Sequence, residues 1–306
     1  MKKSILIVCL SFGLCQAQQT ENSNLWEVGG TSRLNFSQVN LTNWSAGGQN
    51  SLSLNGLASL HAHKTKGKGL WENFLELGYG IIKQGQEESW IKTDDRIDFT
   101  SKYGHQANKK WSYAALINFK TQMTDGYHYP NDSVKISGLF SPAYILESFG
   151  MDYKANEHFS CFLSPITLKA TIVGNQELAN AGAFGVEAAQ RDDAGNILTE
   201  GQNLRTEFGG YIRMYYQNDI IENVGLNTKL ELFSNYLQDP QNIDINWEVL
   251  LSLKVNKYIS ATLSTQLLYD HDIDIASDTN KDGINDSFGP KTQFKEVLGI
   301  GITYTL

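Results

Sequence analysis

The chain has 306 residues, a formal net charge of −8 and 19% charged residues, below the roughly 25% of ordinary globular domains. Mean hydropathy is −0.33, too polar for a bundle of membrane helices, yet 14 Phe, 14 Tyr, 6 Trp and 27 Gly are present. An acidic balance argues against a nucleic-acid partner, and a polar, aromatic, Gly-rich chain suits a transmembrane β-barrel, in which only alternate residues need be apolar.

In chain order, the first element is a predicted signal peptide over 1–17. Lys2 and Lys3 supply its basic start, Ile5 to Cys15 its apolar run and Cys15-Gln16-Ala17 its cleavage site. That run is too short for a helical span, which needs about 20 residues. Leu14 is bulky where a lipoprotein signal wants a small residue before Cys15. Removing Lys2 and Lys3 takes the net charge from −8 to −10, and Cys161 is then the only cysteine, so no intramolecular disulfide is expected.

No later stretch offers eighteen consecutive apolar residues, which excludes a membrane helix. Period-two alternation recurs instead. The clearest run is Ile243, Ile245, Trp247, Val249, Leu251, Leu253 and Val255, set against Asp244, Asn246, Glu248, Leu250, Ser252 and Lys254. Twelve strands follow: 27–37, 49–64, 70–83, 91–103, 111–124, 134–154, 158–173, 203–217, 222–237, 242–255, 258–270 and 292–306. Pro142 and Gly150 interrupt the sixth. Leu116 breaks the polar face of the fifth.

A soluble β-sandwich also alternates, but its strands average about 5–6 residues. Here the apolar faces are almost uncharged. Trp71, Tyr103, Trp111, Tyr215, Tyr216, Tyr236 and Tyr269 fall near strand ends, as interfacial girdles would. The reading is an all-β chain: one antiparallel transmembrane barrel over 18–306 in the outer membrane of a Gram-negative bacterium. An even strand count puts both termini in the periplasm. The two longest connections, 174–202 and 271–291, then lie outside.

Asn43-Trp44-Ser45-Ala46-Gly47-Gly48 resembles the Asn-Trp-x-x-Gly-Gly hallmark of a Bacteroidota family catalogued as domain of unknown function 3078. Phe140-Ser141-Pro142-Ala143-Tyr144, Leu163-Ser164-Pro165-Ile166-Thr167-Leu168-Lys169, Tyr269-Asp270 and Lys295 to Tyr304 add weaker similarity in the same order. The resemblance implies an outer-membrane barrel and transfers no activity and no functional residue. Leu306 departs from the Phe that commonly ends such barrels. Its alternation with Tyr304 and Ile302 still resembles a signal for the barrel-assembly machinery, the expected partner alongside outer-membrane lipids.

Four sets of residues are candidates for chemistry. Asp278, Asn280, Asp282 and Asp286, with Gly283 at the turn, suit a Ca²⁺ loop, although Gly289 stands where an EF-hand needs Glu. The competing reading is a solvated, turn-rich outer loop, in which Asp, Asn and Gly are favoured anyway. No other cofactor is expected. The predicted lumen carries Arg33, Glu72, Glu76, Lys92, Asp94, Arg96, Asp98, Lys120, Lys169, Arg205, Glu207, Arg213, Lys229, Glu231, Glu248 and Lys254. Such charges should pair with one another, because an unpaired ion away from water is costly. His61, His63 and Ser59 share the lumen face of one strand, not the lipid face that a lipid hydrolase would use. Asn43, Trp44, Gly47 and Gly48 form an outer-loop motif that could contact a partner or sugar, or anchor a turn.

The leading functional expectation is a narrow channel or transporter for a small solute. A non-conducting structural or assembly-partner barrel is the alternative, and a lipid-acting enzyme stands third, so the chain is not expected to be an enzyme.

Overall fold

The computed structural model describes residues 26–42, 48–85, 89–129, 132–277, 279–280 and 286–306. The predicted signal peptide lies outside them. Twelve long strands form the wall: β1 Glu27–Val39, β2 Ser51–Lys66, β3 Gly69–Gln84, β4 Ile91–Gln106, β5 Trp111–Thr121, β6 Ala143–Lys154, β7 Phe159–Ile172, β8 Leu204–Ile221, β9 Val224–Asn235, β10 Ile243–Lys254, β11 Ile259–Tyr269 and β12 Gln293–Thr305. Each pairs antiparallel with its sequence neighbours, and β1 pairs with β12 to close the barrel. At 11 to 18 residues, every strand meets the roughly 9–11 that a tilted strand needs to cross a bilayer. Short turns gather at one end with the start of β1 and the end of β12 (the turn end) and long connections at the other (the loop end).

Alternation decides which solvent each side chain meets. On β12, Phe294, Leu298, Ile300, Ile302 and Tyr304 point outward and are exposed, as do Val28, Leu34 and Phe36 on β1. Polar groups on this apolar surface are tied to the wall. The Trp247 indole N–H donates to the Thr228 hydroxyl at 2.9 Å, which lies 3.0 Å from the Glu248 carbonyl. Such pairing suits a surface where water cannot replace a lost partner.

The sixth strand begins at Ala143, not 134, a correction to the sequence expectation. Phe140 takes a left-handed backbone (φ 53) and Pro142 has no N–H to give a ladder. Lys135–Ser137 instead pairs with Gly126–Tyr127 outside the barrel wall. Farther along, the β6–β7 register shifts between Phe149 and Met151. There β7 inserts an extra residue at Ser164-Pro165, where a missing N–H does no harm. The Ser164 hydroxyl lies 2.9 Å from the Phe149 carbonyl and 2.8 Å from that of Ile166. Facing the bulge, Gly150 has no room for a Cβ against the Leu163 backbone.

Tyr215 is a second correction. It faces inward, its hydroxyl donating to Gln217 at 2.6 Å and accepting from Asn227 at 2.8 Å. Tyr103 and Tyr236 are exposed on the outer surface, and Trp71 packs on Trp26 there with ring centroids 5.4 Å apart. Leu116, the residue that broke the polar face of β5, points inward and is 1% exposed. It packs with Ala114, Phe162, Tyr211 and Phe233 into an apolar cluster inside the barrel.

The 174–202 connection folds over the loop end. Helix α1 (Gln176–Asn180) starts where Asn175 accepts from the Leu178 N–H, and Val173, Leu178, Ala179 and Val186 are buried. Arg205 fastens this segment, donating to the Gly185 carbonyl at 3.2 Å and lying 3.3 Å from Asp272.

Candidate functional site

The lumen is crossed at mid-height by ion pairs that join opposite walls. Arg96 on β4 meets Glu248 on β10 at 2.6 Å, six places apart in a ring of twelve strands. Lys229 on β9 reaches Asp98 at 3.1 Å, Glu248 at 3.2 Å and Glu76 on β3 at 3.4 Å. Lys120 on β5 meets Glu231 on β9 at 2.5 Å. Neutral groups complete the lattice. The Tyr211 hydroxyl donates to Glu231 at 2.6 Å, Asn246 donates to Glu231 at 2.7 Å and Asn118 to Asp98 at 2.6 Å. Arg213 lies 4.0 Å from Glu231 and donates to Thr100 at 3.2 Å.

Two further clusters flank the lattice. Toward the loops, Lys169 sits among Asp244 (2.7 Å), Glu207 (3.4 Å) and Asp270 (3.5 Å), with Arg205 2.8 Å from Glu207. Lys92 pairs with Asp95 at 2.9 Å, and Asp94 with Lys295 at 2.8 Å. Toward the turns, Glu72 is held by Lys154 (2.6 Å) and Lys102 (3.1 Å), and Lys102 also reaches Asp152 (2.9 Å). Lys254 and Asp219 meet at 4.0 Å on the exposed turn end. Arg33 breaks the expected rule: it stands on the inner wall without an ion pair or hydrogen bond among the described residues, its Nε shut off from solvent.

Lys102, Asp152, Lys154, Asp244 and Asp270 join the lumen charges without having been among those the sequence predicts there, although Asp244 stands on the polar face of its alternating run. Lys102 shares the phase of Arg96 and Asp98, as Asp244 shares that of Glu248, so alternation carries the signal for both. Asp270 lies just beyond the end of β11, where alternation gives no direction.

Between the lattice and the turn end lies a cavity of about 1030 Å³. Its floor includes Arg96, Asp98, Lys229 and Glu248, and its walls include Arg33, Ser59, His61, Glu72, Lys102 and Tyr215. The His61 and His63 rings stack with centroids 4.9 Å apart. A much smaller pocket of about 20 Å³, lined by Asn55, Asp94, Lys295 and Gln266, lies on the other side of Arg96 and Glu248.

Other sequence candidates fall elsewhere. Asp278 and Asp282 lie outside the described residues, as do Asn43, Trp44 and Gly47. Asp286 accepts from the Thr279 backbone N–H at 2.8 Å and from its hydroxyl, which hold its carboxyl below the usual range. Among the described residues no cluster of three or more His, Cys, Asp or Glu is placed to hold a metal. Gly48 has φ 122, a backbone that favours glycine.

Residues 36–127 match the model of a family described as "Protein of unknown function (DUF3078)". The matched span carries β2 to β5, and with them Glu72, Glu76, Arg96, Asp98 and Lys120. No curated protein matches the sequence. Among solved structures, the chain is similar to the NanC porin at 10% identity, covering 92% of this chain and 100% of that one, with a TM-score of 0.38. It is also similar to an outer-membrane channel from Pseudomonas putida F1 at 10% identity, covering 95% and 100%, with a TM-score of 0.39.

Proposed function

We propose that this protein is an outer-membrane barrel serving as a narrow channel or transporter for a small solute, closed in the state described. One observation carries the reading: the cavity of about 1030 Å³ runs from the turn end to the Arg96–Glu248 pair and stops there. A barrel serving only as a wall has no need of a solvent-sized space on one side of its charged lattice. The turn end is periplasmic and the loop end external, the usual asymmetry of such barrels. Passage requires the lattice to part, and its mixed signs favour neither cations nor anions strongly. Ser59 and His61 line the lumen away from lipid, and no enzymatic step belongs to this reading. Calcium in the outer loop around Asp278 to Asp286 is retained as a structural role, which calorimetry with millimolar Ca²⁺ tests.

The non-conducting alternative is favoured by the lattice itself, whose pairs span the lumen at 2.5 to 3.4 Å. Planar bilayer recordings separate the two. The channel reading expects rare, small conductance steps from the wild type and larger, more frequent ones from the Arg96→Ala/Glu248→Ala double variant. A folded double variant that stays silent supports the structural barrel and sinks the channel.

A further inference from the structure

We propose that the cavity at the turn end binds a small oxyanion, a carboxylate or phosphate group, through Arg33. The inference rests on charge arithmetic inside the cavity and holds whether or not the barrel conducts. Every deep acid in its lining is already engaged: Glu72 by Lys102 and Lys154, Asp152 by Lys102, Asp98 by Lys229, Glu76 and Glu248 by Arg96. Arg33 lines the same space, and no acid reaches it among the described residues. Its Nε is buried without a hydrogen-bond partner. The Arg33 side chain is only partly buried, and a guanidinium that borders this space with no acid beside it leaves N–H groups for an anion drawn from solution.

The surroundings of Arg33 suit an oxyanion. Strand register places Thr303 of β12 directly across from it on one side and Leu57 of β2 on the other. Two residues nearer the mouth, Thr31 pairs with both Ser59 and Thr305. The Thr303 and Ser260 hydroxyls are bonded to each other at 2.5 Å. A guanidinium presents two parallel N–H groups to a planar or tetrahedral oxyanion, and the Thr303–Ser260 pair, which uses one O–H between its members, leaves the other as a further donor. The Leu306 carboxylate is not a substitute. It lies three residues nearer the mouth, where the Leu306 N–H is held by the Gly30 carbonyl at 2.9 Å. The volume of about 1030 Å³ leaves room for the oxyanion to be part of a larger solute, since ligand pockets run from about 300 to 1,000 Å³.

Titration calorimetry on the folded, detergent-solubilised barrel, with inorganic phosphate and separately with acetate at fixed ionic strength, tests the proposal. Saturable binding of at least one is expected, weakened about tenfold or more by Arg33→Gln, as loss of a charge-assisted contact predicts, and partly restored by Arg33→Lys. Heat-modifiable gel migration checks that each variant is folded. A second measurement needs no variant: the bound probe should slow phenylglyoxal modification of Arg33 in the wild type, mapped by mass spectrometry. No saturable binding, unchanged affinity in folded Arg33→Gln, or no protection of Arg33 by either probe overturns the proposal.

Discussion

Removing the Glu248 carboxylate tests whether the lumen is held by a coupled lattice or by independent surface-like pairs. Glu248 faces Arg96 at 2.6 Å and Lys229 at 3.2 Å, with the Arg96 and Glu248 side chains 27% and 16% exposed. Breaking a fully buried pair costs about 3–5 kcal/mol. Arg96 keeps Glu76 at 3.7 Å and Lys229 keeps Asp98 at 3.1 Å, so Glu248→Ala should destabilise by a smaller amount, roughly 2–3 kcal/mol. In Arg96→Ala/Glu248→Ala no cation is stranded, because Lys229 retains two acids. The double variant should therefore lose less than the sum of the single losses, with a coupling of about 1–2 kcal/mol. Urea unfolding in lipid vesicles, followed by tryptophan fluorescence, measures all four corners of the cycle. Additivity within about 0.5 kcal/mol would refute the lattice.

Three other perturbations address different links. Leu116→Ala, at a position 1% exposed among Phe162, Tyr211 and Phe233, should destabilise the barrel by about 2–5 kcal/mol in the same unfolding assay. Gly150→Ala places a Cβ against the Leu163 and Ser164 backbone and should cost about 1–3 kcal/mol, seen as a lower urea midpoint, whereas the same change at Gly67 meets open space and tests only its positive φ. In the 174–202 connection, the Asn196 side chain donates to Asp192 at 2.9 Å and its backbone N–H does so at 2.8 Å, holding the Asp192 carboxyl below its ordinary value. Order contributed by that turn is thus present above the ordinary aspartate range and lost as pH falls through the depressed value. Asn196→Ala should move the Asp192 titration upward by NMR.

Strand phase was the most legible feature. The run from Ile243 to Val255 assigned Glu248 to one face and Trp247 to the other, as the fold has them. Legibility failed where phase is interrupted or where a polar body hides its direction. The Ser164-Pro165 bulge resets the alternation of β7, and the Phe140 turn removes 134–142 from β6. Tyr215 suits an interfacial girdle by composition, yet hydrogen bonds to Gln217 and Asn227 keep it inside. Within the lumen, alternation gives membership and not pairing. That Arg96 finds Glu248 152 residues away depends on barrel circumference and stagger, which no local pattern encodes. For the same reason the isolation of Arg33 appears only once the walls are assembled.

The central claim, a lumen divided by its charged lattice, is tested most directly by sided labelling. A cysteine at Thr303, in a Cys161→Ser background and oriented proteoliposomes, should react with a membrane-impermeant maleimide from the turn end only. A cysteine at Gln266, which donates to Asn246 at 3.1 Å and lines the small pocket beyond Arg96 and Glu248, should not react from that side. Equal labelling of both positions from the turn end would show a continuous lumen and contradict the account.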